Sequence, residues 1–169
     1  MEVTFCRRCA APLTKLSESA YECSNGHKLF YDASPAAACV LVTPEGKLVL
    51  TVRALDPGKG KNSLFGGFAD IGESLEQALA RELQEEAGLV PGDYETPQYL
   101  GSAPDVYEWE GNSTRVLSAL YMVQLKPGAK LQPADDVADV IYVDPSEVPY
   151  DSIAFKSNLV AIKAVLAAL

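Results

Sequence analysis

The chain has 169 residues, enough for one domain with a hydrophobic core and a small appended module. Its formal net charge of −9 opposes long-range attraction to nucleic acid or to an anionic membrane. No apolar run reaches the roughly 20 residues that a membrane span needs, and "MEVTFCRRCAAPL" lacks an apolar leader, so we expect a cytoplasmic protein. An acidic protein that acts on phosphates would need a bound cation.

The first 34 residues differ from the rest in composition. They hold Cys6, Cys9 and Cys23, followed by the single histidine of the chain, His27. Three thiolates and an imidazole at these spacings suit tetrahedral Zn²⁺, and the metal would stabilise a module too short to have much core. We therefore interpret residues 1–34 as a zinc-ribbon-like module. A decayed, metal-free remnant and a redox role for the first two cysteines are the alternatives.

Strands and helices alternate after Pro35. Two apolar runs flank the turn at 44–46, and "NSLFGGFAD" predicts a short strand ending in paired glycines. Cys39 lies in the first run, where we expect a buried, inert thiol. Further strands are predicted in "QYLGSAPDVYEWEG", "TRVLSALYMVQL" and "DVIYVDP", the first two separated by Gly111-Asn112, and "SNLVAIKAVLAAL" predicts a closing helix. The alternation predicts an α/β or α+β sandwich with a mixed sheet.

A helix is predicted over residues 74–87. Ser74 and Gln77 have the spacing of a capping box, and Gly88 suits the left-handed position past a helix end. Leucines recur every four residues on one face, at Leu75, Leu79 and Leu83. Three carboxylates share another side: Glu82, Glu85 and Glu86. They form an oxygen-rich site for Mg²⁺ or Mn²⁺, which would relieve their repulsion, whereas a solvated acidic face is the alternative.

The stretch from Gly67 to Leu89 resembles the signature of the Nudix hydrolases. Gly67 is followed by five residues, Glu73, seven residues, and then "RELQEEAGL", beginning at Arg81. The resemblance implies a Nudix α/β/α sandwich with a mixed sheet over residues 35–169, which hydrolyses a nucleoside diphosphate linked to a group X. It also implies that Glu82, Glu85 and Glu86 bind catalytic Mg²⁺ or Mn²⁺, and that Gly67, Glu73 and Arg81 support the signature.

This reaction needs cations and a proton acceptor. Divalent ions neutralise the pyrophosphate and lower the pKa of the attacking water, and a nearby carboxylate then accepts the proton. Glu85 and Glu86 are candidates for that acceptor. The family sometimes uses a later acidic loop instead, and "PADDVAD" offers three candidates: Asp135, Asp136 and Asp139. An ordinary polar loop is the alternative.

Four residues are candidate substrate contacts. Tyr107 and Trp109 share one face of a predicted strand, as candidates to stack on a nucleobase or as ordinary strand aromatics. Arg53 and Arg115 are candidate phosphate contacts. The predicted partner is a small nucleotide-type substrate, without nucleic acid or membrane partners, and a homodimer is compatible with the sequence.

A zinc ribbon ahead of a Nudix domain is similar to the NADH pyrophosphatase branch of the family. However, the motif of NADH-cleaving members is matched only at Ser102 and Pro104. Pro104 also fits members that cleave ADP-ribose, and Tyr107 fits members that cleave dinucleoside polyphosphates, so X stays open. A non-catalytic Nudix-fold nucleotide sensor is the alternative function, which the complete set of signature glutamates disfavours.

Overall fold

The computed structural model describes residues 4–169, which form one antiparallel sheet, one mixed sheet and two α-helices. The first sheet consists of β1 (Leu13–Lys15), β2 (Ala20–Cys23) and β3 (Lys28–Phe30). The second consists of β4 (Ser34–Val42), β5 (Leu48–Arg53), β6 (Asn62–Ser63), β7 (Phe65–Phe68), β8 (Gln98–Trp109), β9 (Asn112–Gln124) and β10 (Val137–Val143). The helices are α1 (Leu75–Ala87) and α2 (Lys156–Leu166), with 3₁₀ turns at Pro145–Glu147 and Tyr150–Ser152.

The seven-stranded sheet has the order β10-β5-β4-β9-β8, with β6 beside β5 and β7 beside β4. Strands β4 and β9 run parallel and the other pairs antiparallel, so the sheet is mixed as predicted. The predicted strand in "NSLFGGFAD" is two strands, because the chain passes from β5 to β4 within it. The β8–β9 loop is Glu110-Gly111, one residue earlier than predicted; both residues have positive φ, as two-residue hairpins require.

One helix packs on each face of this sheet, which confirms the α/β/α sandwich. Alternate residues of β4 point to opposite faces. Cys39 and Leu41 pack with Leu79 and Leu83 of α1. Val40 and Val42, on the other face, pack against α2. Cys39 is fully buried, as expected, and burial raises the pKa of its thiol, so the thiolate that would make it reactive is disfavoured. Within residues 4–169, neither helix has the length and apolarity needed to cross a bilayer.

Local signals set both ends of α1. The Ser74 hydroxyl accepts a hydrogen bond from the Gln77 backbone at 3.2 Å, and the Gln77 side chain accepts one from the Ser74 backbone at 2.8 Å. Gly88 has φ 67° and donates its N–H to Gln84 O. The predicted capping box and left-handed helix end are confirmed, and they fix where the signature glutamates lie relative to β7.

The start of α2 is capped across the fold instead. Its own N-cap residue, Phe155, makes no side-chain capping bond. Asp105 of β8 accepts a hydrogen bond from the Ser157 backbone at 2.8 Å. This contact satisfies an N–H that the first turn cannot pair internally, and it holds the start of α2 against β8.

Candidate active site

The three signature glutamates lie in different environments, although they are close along α1. Glu86 is only 5% exposed, and its Oε2 accepts a hydrogen bond from the Gly66 backbone at 2.8 Å. The Glu82 side chain is 12% exposed, whereas that of Glu85 is 48% exposed. Glu82 and Glu86 line a pocket, whereas Glu85 is not among its lining residues.

The buried carboxyls have strongly perturbed acidity. Burial is the main cause that raises the pKa of Glu86 to about 9, and the neighbouring carboxylates of Asp136 and Glu82 add to it. Burial also raises the pKa of Glu82, against the opposing effect of Arg81. Desolvated carboxyls gathered in a pocket without enough positive charge are typical of a site that takes up a cation or a proton.

Arg81 connects the signature loop to the helix. Its Nε and Nη2 donate to the two oxygens of Glu73 at 2.9 and 3.0 Å, and Nη2 also donates to Phe68 O. Its Nη1 contacts Glu82 at 2.8 Å and Glu85 at 3.0 Å. The guanidinium holds the pKa of Glu73 below its usual value. With these partners Arg81 has little capacity left for a ligand, so its geometry supports a bracing role.

The two glycines of β7 permit close backbone approach. Gly66 has φ 133°, and a Cβ there would collide with the carbonyl oxygen of Ala37 and come within 2.7 Å of Ala38 Cα. A Cβ on Gly67 would collide with the Glu82 carboxylate. At position 66, only glycine lets β7 pair with β4 while the backbone N–H of that residue donates to Glu86 on α1.

We expect Gly66→Ala to reduce the free energy of unfolding by about 3 kcal/mol or more, because it combines a disfavoured φ with a collision against a central strand. Urea unfolding measures the change. Gly111→Ala is the matched control, since Gly111 also has positive φ but a Cβ there meets nothing within 4 Å. It should cost only about 1 kcal/mol, and equal losses in both variants would contradict the role of the collision.

The acidic loop before β10 is tied to the end of α1. The backbone N–H groups of Gln132 and Ala134 donate to the carbonyls of Ala87 and Glu86 at 2.9 and 3.1 Å. This anchoring places Asp135 and Asp136 in the pocket wall. Asp139 does not line the pocket; it lies in β10, where its carboxylate accepts a hydrogen bond from Val140 N.

A pocket of about 410 Å³ runs from these carboxylates to a cluster of rings at the start of α2. Phe155 and Tyr107 stack with centroids 5.9 Å apart, and Phe68 meets Tyr107 edge-on at 5.6 Å. The Arg53 guanidinium lies 5.0 Å from the Phe155 centroid, and its Nε donates to Pro57 O at 2.7 Å. The side chain of Arg53 is 10% exposed. The pocket thus has an acidic end and an aromatic end, with one arginine between them.

The cysteine–histidine set of the first module converges at one point. The ligand atoms of Cys6, Cys9, Cys23 and His27 all lie within 4.8 Å of one another. The Cys9 and Cys23 sulfurs are 3.8 Å apart, and His27 Nδ1 is 3.3 Å from Cys9 Sγ. Bond lengths of about 2.3 Å in a tetrahedral site require sulfurs about 3.8 Å apart, so the donors fit zinc.

The family model of the NUDIX domain matches residues 33–161. This chain belongs to the Nudix family. It is 31% identical over 111 residues to the ADP-ribose pyrophosphatase of Methanocaldococcus jannaschii, covering 64% of this chain and 61% of that protein. It is 33% identical over 125 residues to the human mitochondrial NAD(P)H pyrophosphatase NUDT13, covering 73% of this chain but only 33% of that protein.

A solved structure gives the same family. A NUDIX hydrolase from Nitrosomonas europaea superposes with a TM-score of 0.68 at 25% identity, over 96% of this chain and 88% of that one. The Nudix resemblance of the signature is therefore confirmed. The chain spans 61% and 33% of the length of the two curated relatives above.

The Nudix pocket gathers some predicted contacts and omits others. Arg53 and Tyr107 line it, whereas Trp109 and Arg115 are not among its lining residues. Trp109 is 44% exposed near the tip of the β8–β9 hairpin, and Arg115 lies 3.5 Å from Glu18 of the first module. Of the two aromatics, Tyr107 thus lies at the pocket, whereas Trp109 lies toward the hairpin tip.

Several lining residues carried no signal in the sequence. Phe155 precedes α2 without any motif, and Asp105 sits in an apolar strand. Ser118 and Asn158 are nearly fully buried at the same end of the pocket, where Asn158 donates to Ser63 Oγ at 2.9 Å. Among the lining residues that the sequence analysis missed, Phe68 is the one with a usable signal, since it adjoins the glycines of the Nudix signature.

Proposed function

We propose that this chain is a Mg²⁺- or Mn²⁺-dependent pyrophosphohydrolase that cleaves a nucleoside diphosphate linked to X by attack of water on phosphorus. The observation that carries the proposal is the pair of pocket-lining carboxyls, Glu82 and Glu86, with Asp136 beside Glu86 in the same pocket. Their oxygens are the hard donors that these cations prefer. Glu85, which pairs with Arg81 next to Glu82, would supply a further oxygen.

The bound cation would neutralise the pyrophosphate and lower the pKa of the attacking water. The residues of the chain supply the rest. Arg81 and Glu73 hold the signature loop against α1, and Gly67 leaves room for the Glu82 carboxylate. We infer that Asp136 accepts the proton of the water, because the loop that carries it is anchored to the last turn of α1 beside Glu86. Asp135 lies next to it in the pocket wall.

Arg53 is the proposed phosphate contact. Among the described residues that line the pocket, the basic side chains are Arg53 and Arg81, and Arg81 is already paired with carboxylates. Arg53 Nε donates to Pro57 O, and its terminal nitrogen Nη1 lies 3.9 Å from Asp136 at the acidic end of the pocket. Tyr107 and Phe155 form the proposed surface for the nucleobase, because rings of this kind stack on bases of any sequence.

We propose a substrate that contains ADP. The two relatives named above are a pyrophosphatase for ADP-ribose and one for NAD(P)H, and ADP is the half that these substrates share. The pocket supports this size class, since its aromatic and acidic ends accommodate a base and a diphosphate in one cavity of about 410 Å³.

We propose that residues 1–34 form a zinc-ribbon-like module and residues 35–169 the Nudix hydrolase domain. The module would hold one structural Zn²⁺ through Cys6, Cys9, Cys23 and His27. A hydrogen bond from the Ala11 backbone, with further ones from the side chains of Asn25 and His27, lowers the pKa of Cys9 to about 6, which favours the thiolate that zinc requires.

Phosphoanhydride hydrolysis is tested with the full chain against ADP-ribose, NADH, FAD, dinucleoside polyphosphates and nucleoside triphosphates. We expect release of AMP from at least one ADP-containing substrate with Mg²⁺ or Mn²⁺, and none when both are omitted. Water labelled with ¹⁸O should place the label on a phosphate of the products. Tight binding of ADP-ribose without turnover of any substrate would instead favour the nucleotide sensor.

A further inference from the structure

A second pocket lies on the face of the sheet that packs against α1. It has a volume of about 470 Å³. The alternation along β9 separates the two: Val116 and Ser118 line the active-site pocket, whereas Leu117 and Ala119 line the second one. The start of α1 closes the second pocket through Leu75 and Glu76. None of the residues assigned to catalysis or zinc binding lines it.

The walls of this second pocket are apolar and aromatic. Leu75, Leu117 and Pro35 provide aliphatic surface, and Leu117 is 47% exposed. Tyr99 is 59% exposed and meets the nearly buried ring of Tyr121 edge-to-face, with centroids 5.6 Å apart. The Tyr99 ring is therefore held at the pocket by Tyr121, while more than half of the Tyr99 surface is accessible to solvent.

The charge of the second pocket has one sign. Among residues 4–169, its lining contains no lysine, arginine or histidine, and Glu76 is its single ionisable carboxyl. The Tyr121 hydroxyl lies 3.2 Å from Glu76 Oε1 and donates to it. Hydrogen bonds from its own backbone N–H, from Ser74 and from Tyr121 keep the pKa of Glu76 below its usual value, so this carboxylate is ionised at neutral pH.

A carboxylate and a largely exposed tyrosine ring that line one pocket attract the same kind of group. The negative face of the ring and the carboxylate both favour a cation, and the aliphatic walls favour an apolar body attached to it. An anion or a second acidic copy of this chain would be repelled by Glu76 and by the net charge of −9.

We propose that the second pocket, formed by Pro35, Leu75, Glu76, Tyr99, Leu117 and Tyr121, is a binding site for a small organic cation with an apolar body. The ammonium group lies between the Tyr99 ring and the Glu76 carboxylate, and the apolar part packs on Leu117 and Leu75. This site is independent of the proposed hydrolase activity.

The probe for this site is phenethylammonium chloride, titrated into the ¹⁵N-labelled, zinc-loaded full chain with saturating Mg²⁺ at constant ionic strength. We expect backbone amide shifts at Leu75, Glu76, Tyr99 and Ala119, and binding at least about fivefold tighter than for the neutral isostere 2-phenylethanol. Tyr99→Leu and Glu76→Gln should each weaken binding about fivefold. Tyr99→Phe, which keeps the ring face, should retain it.

We expect each variant to fold, because Tyr99 is exposed and the glutamine of Glu76→Gln still accepts a hydrogen bond from Tyr121. Unchanged pyrophosphate turnover and melting temperature would verify this. Equal binding of 2-phenylethanol would overturn the charge selectivity that the proposal requires. Shifts confined to Gly66, Gly67 and Glu86 would show that the cation binds the catalytic carboxylates, and the absence of any shift would also overturn the proposal.

Discussion

Glu86→Gln should lower kcat/KM by about a thousandfold and yet make the folded protein more stable at pH 8 when Mg²⁺ and Mn²⁺ are absent. The loss of activity follows from removing a charged ligand of the proposed metal site. The gain in stability follows from the burial of Glu86, whose side chain is almost inaccessible to solvent and lies close to other carboxylates. A neutral amide of the same shape keeps the hydrogen bond from Gly66 and needs neither a buried charge nor the uptake of a proton at this pH.

The pH dependence of this gain has a definite sign. The pKa of Glu86 rises from an ordinary value of 4.5 to about 9 in the folded protein, whereas the unfolded chain ionises near the ordinary value. The folded state therefore holds a proton that the unfolded state loses, and the stability that this provides below pH 4.5 is lost progressively up to pH 9. The slope is at most about 1.4 kcal/mol per pH unit for one group.

Urea unfolding of the zinc-loaded protein without Mg²⁺ or Mn²⁺, at pH 6 and pH 8.5, measures this difference. The wild type should lose stability between the two values, and Glu86→Gln should lose about 3 kcal/mol less. Adding Mg²⁺ should stabilise the wild type and have little effect on the variant. Glu95→Gln, a change at an exposed carboxylate away from the pocket, should alter neither activity nor the pH profile. Full activity in Glu86→Gln would refute the assigned role.

The difference between Glu85 and Glu86 shows how far helical periodicity carries. The spacing along α1 correctly placed both carboxylates away from the leucine face, because that depends on neighbours within four residues. It could not predict that Glu86 is buried and Glu85 is half exposed. That difference comes from Gly66, whose backbone approaches α1 only after β7 has paired with β4.

The sequence predicts the acidic end of the pocket more completely than the aromatic end, where it offered only Arg53 and Tyr107 as candidate contacts. The signature glutamates, Arg81 and the helix caps lie within one continuous stretch, where fixed spacings determine geometry. The other end is assembled from β5, β8 and the residue before α2, which are far apart in the chain. Asp105 reaches Ser157 across 52 residues, and no periodicity in either segment predicts that contact.

Cys23→Ser should abolish stoichiometric zinc binding by the first module. It should unfold the described part of residues 1–34 while the Nudix domain stays folded. Three short strands offer little apolar burial, so most of the stability of the module would come from the metal. The wild type should carry about one zinc per chain by metal analysis. Hydrogen exchange should show that the variant loses protection in β1, β2 and β3.

Cys39→Ala is the matched control for this experiment, because Cys39 is a buried cysteine of the main sheet that lies outside the ligand cluster. It should retain zinc and protection in the module, and lower the stability of the Nudix domain by about 1 kcal/mol through lost packing. Cys23→Ser should have the opposite pattern. The module contacts the β8–β9 hairpin through an exposed Arg115–Glu18 pair and a long Tyr31–Ser113 hydrogen bond, which add little to the stability of the domain. Protected β1–β3 amides in zinc-free protein would instead identify the module as a remnant that folds without metal, and the converging thiols would then have no structural ion to hold.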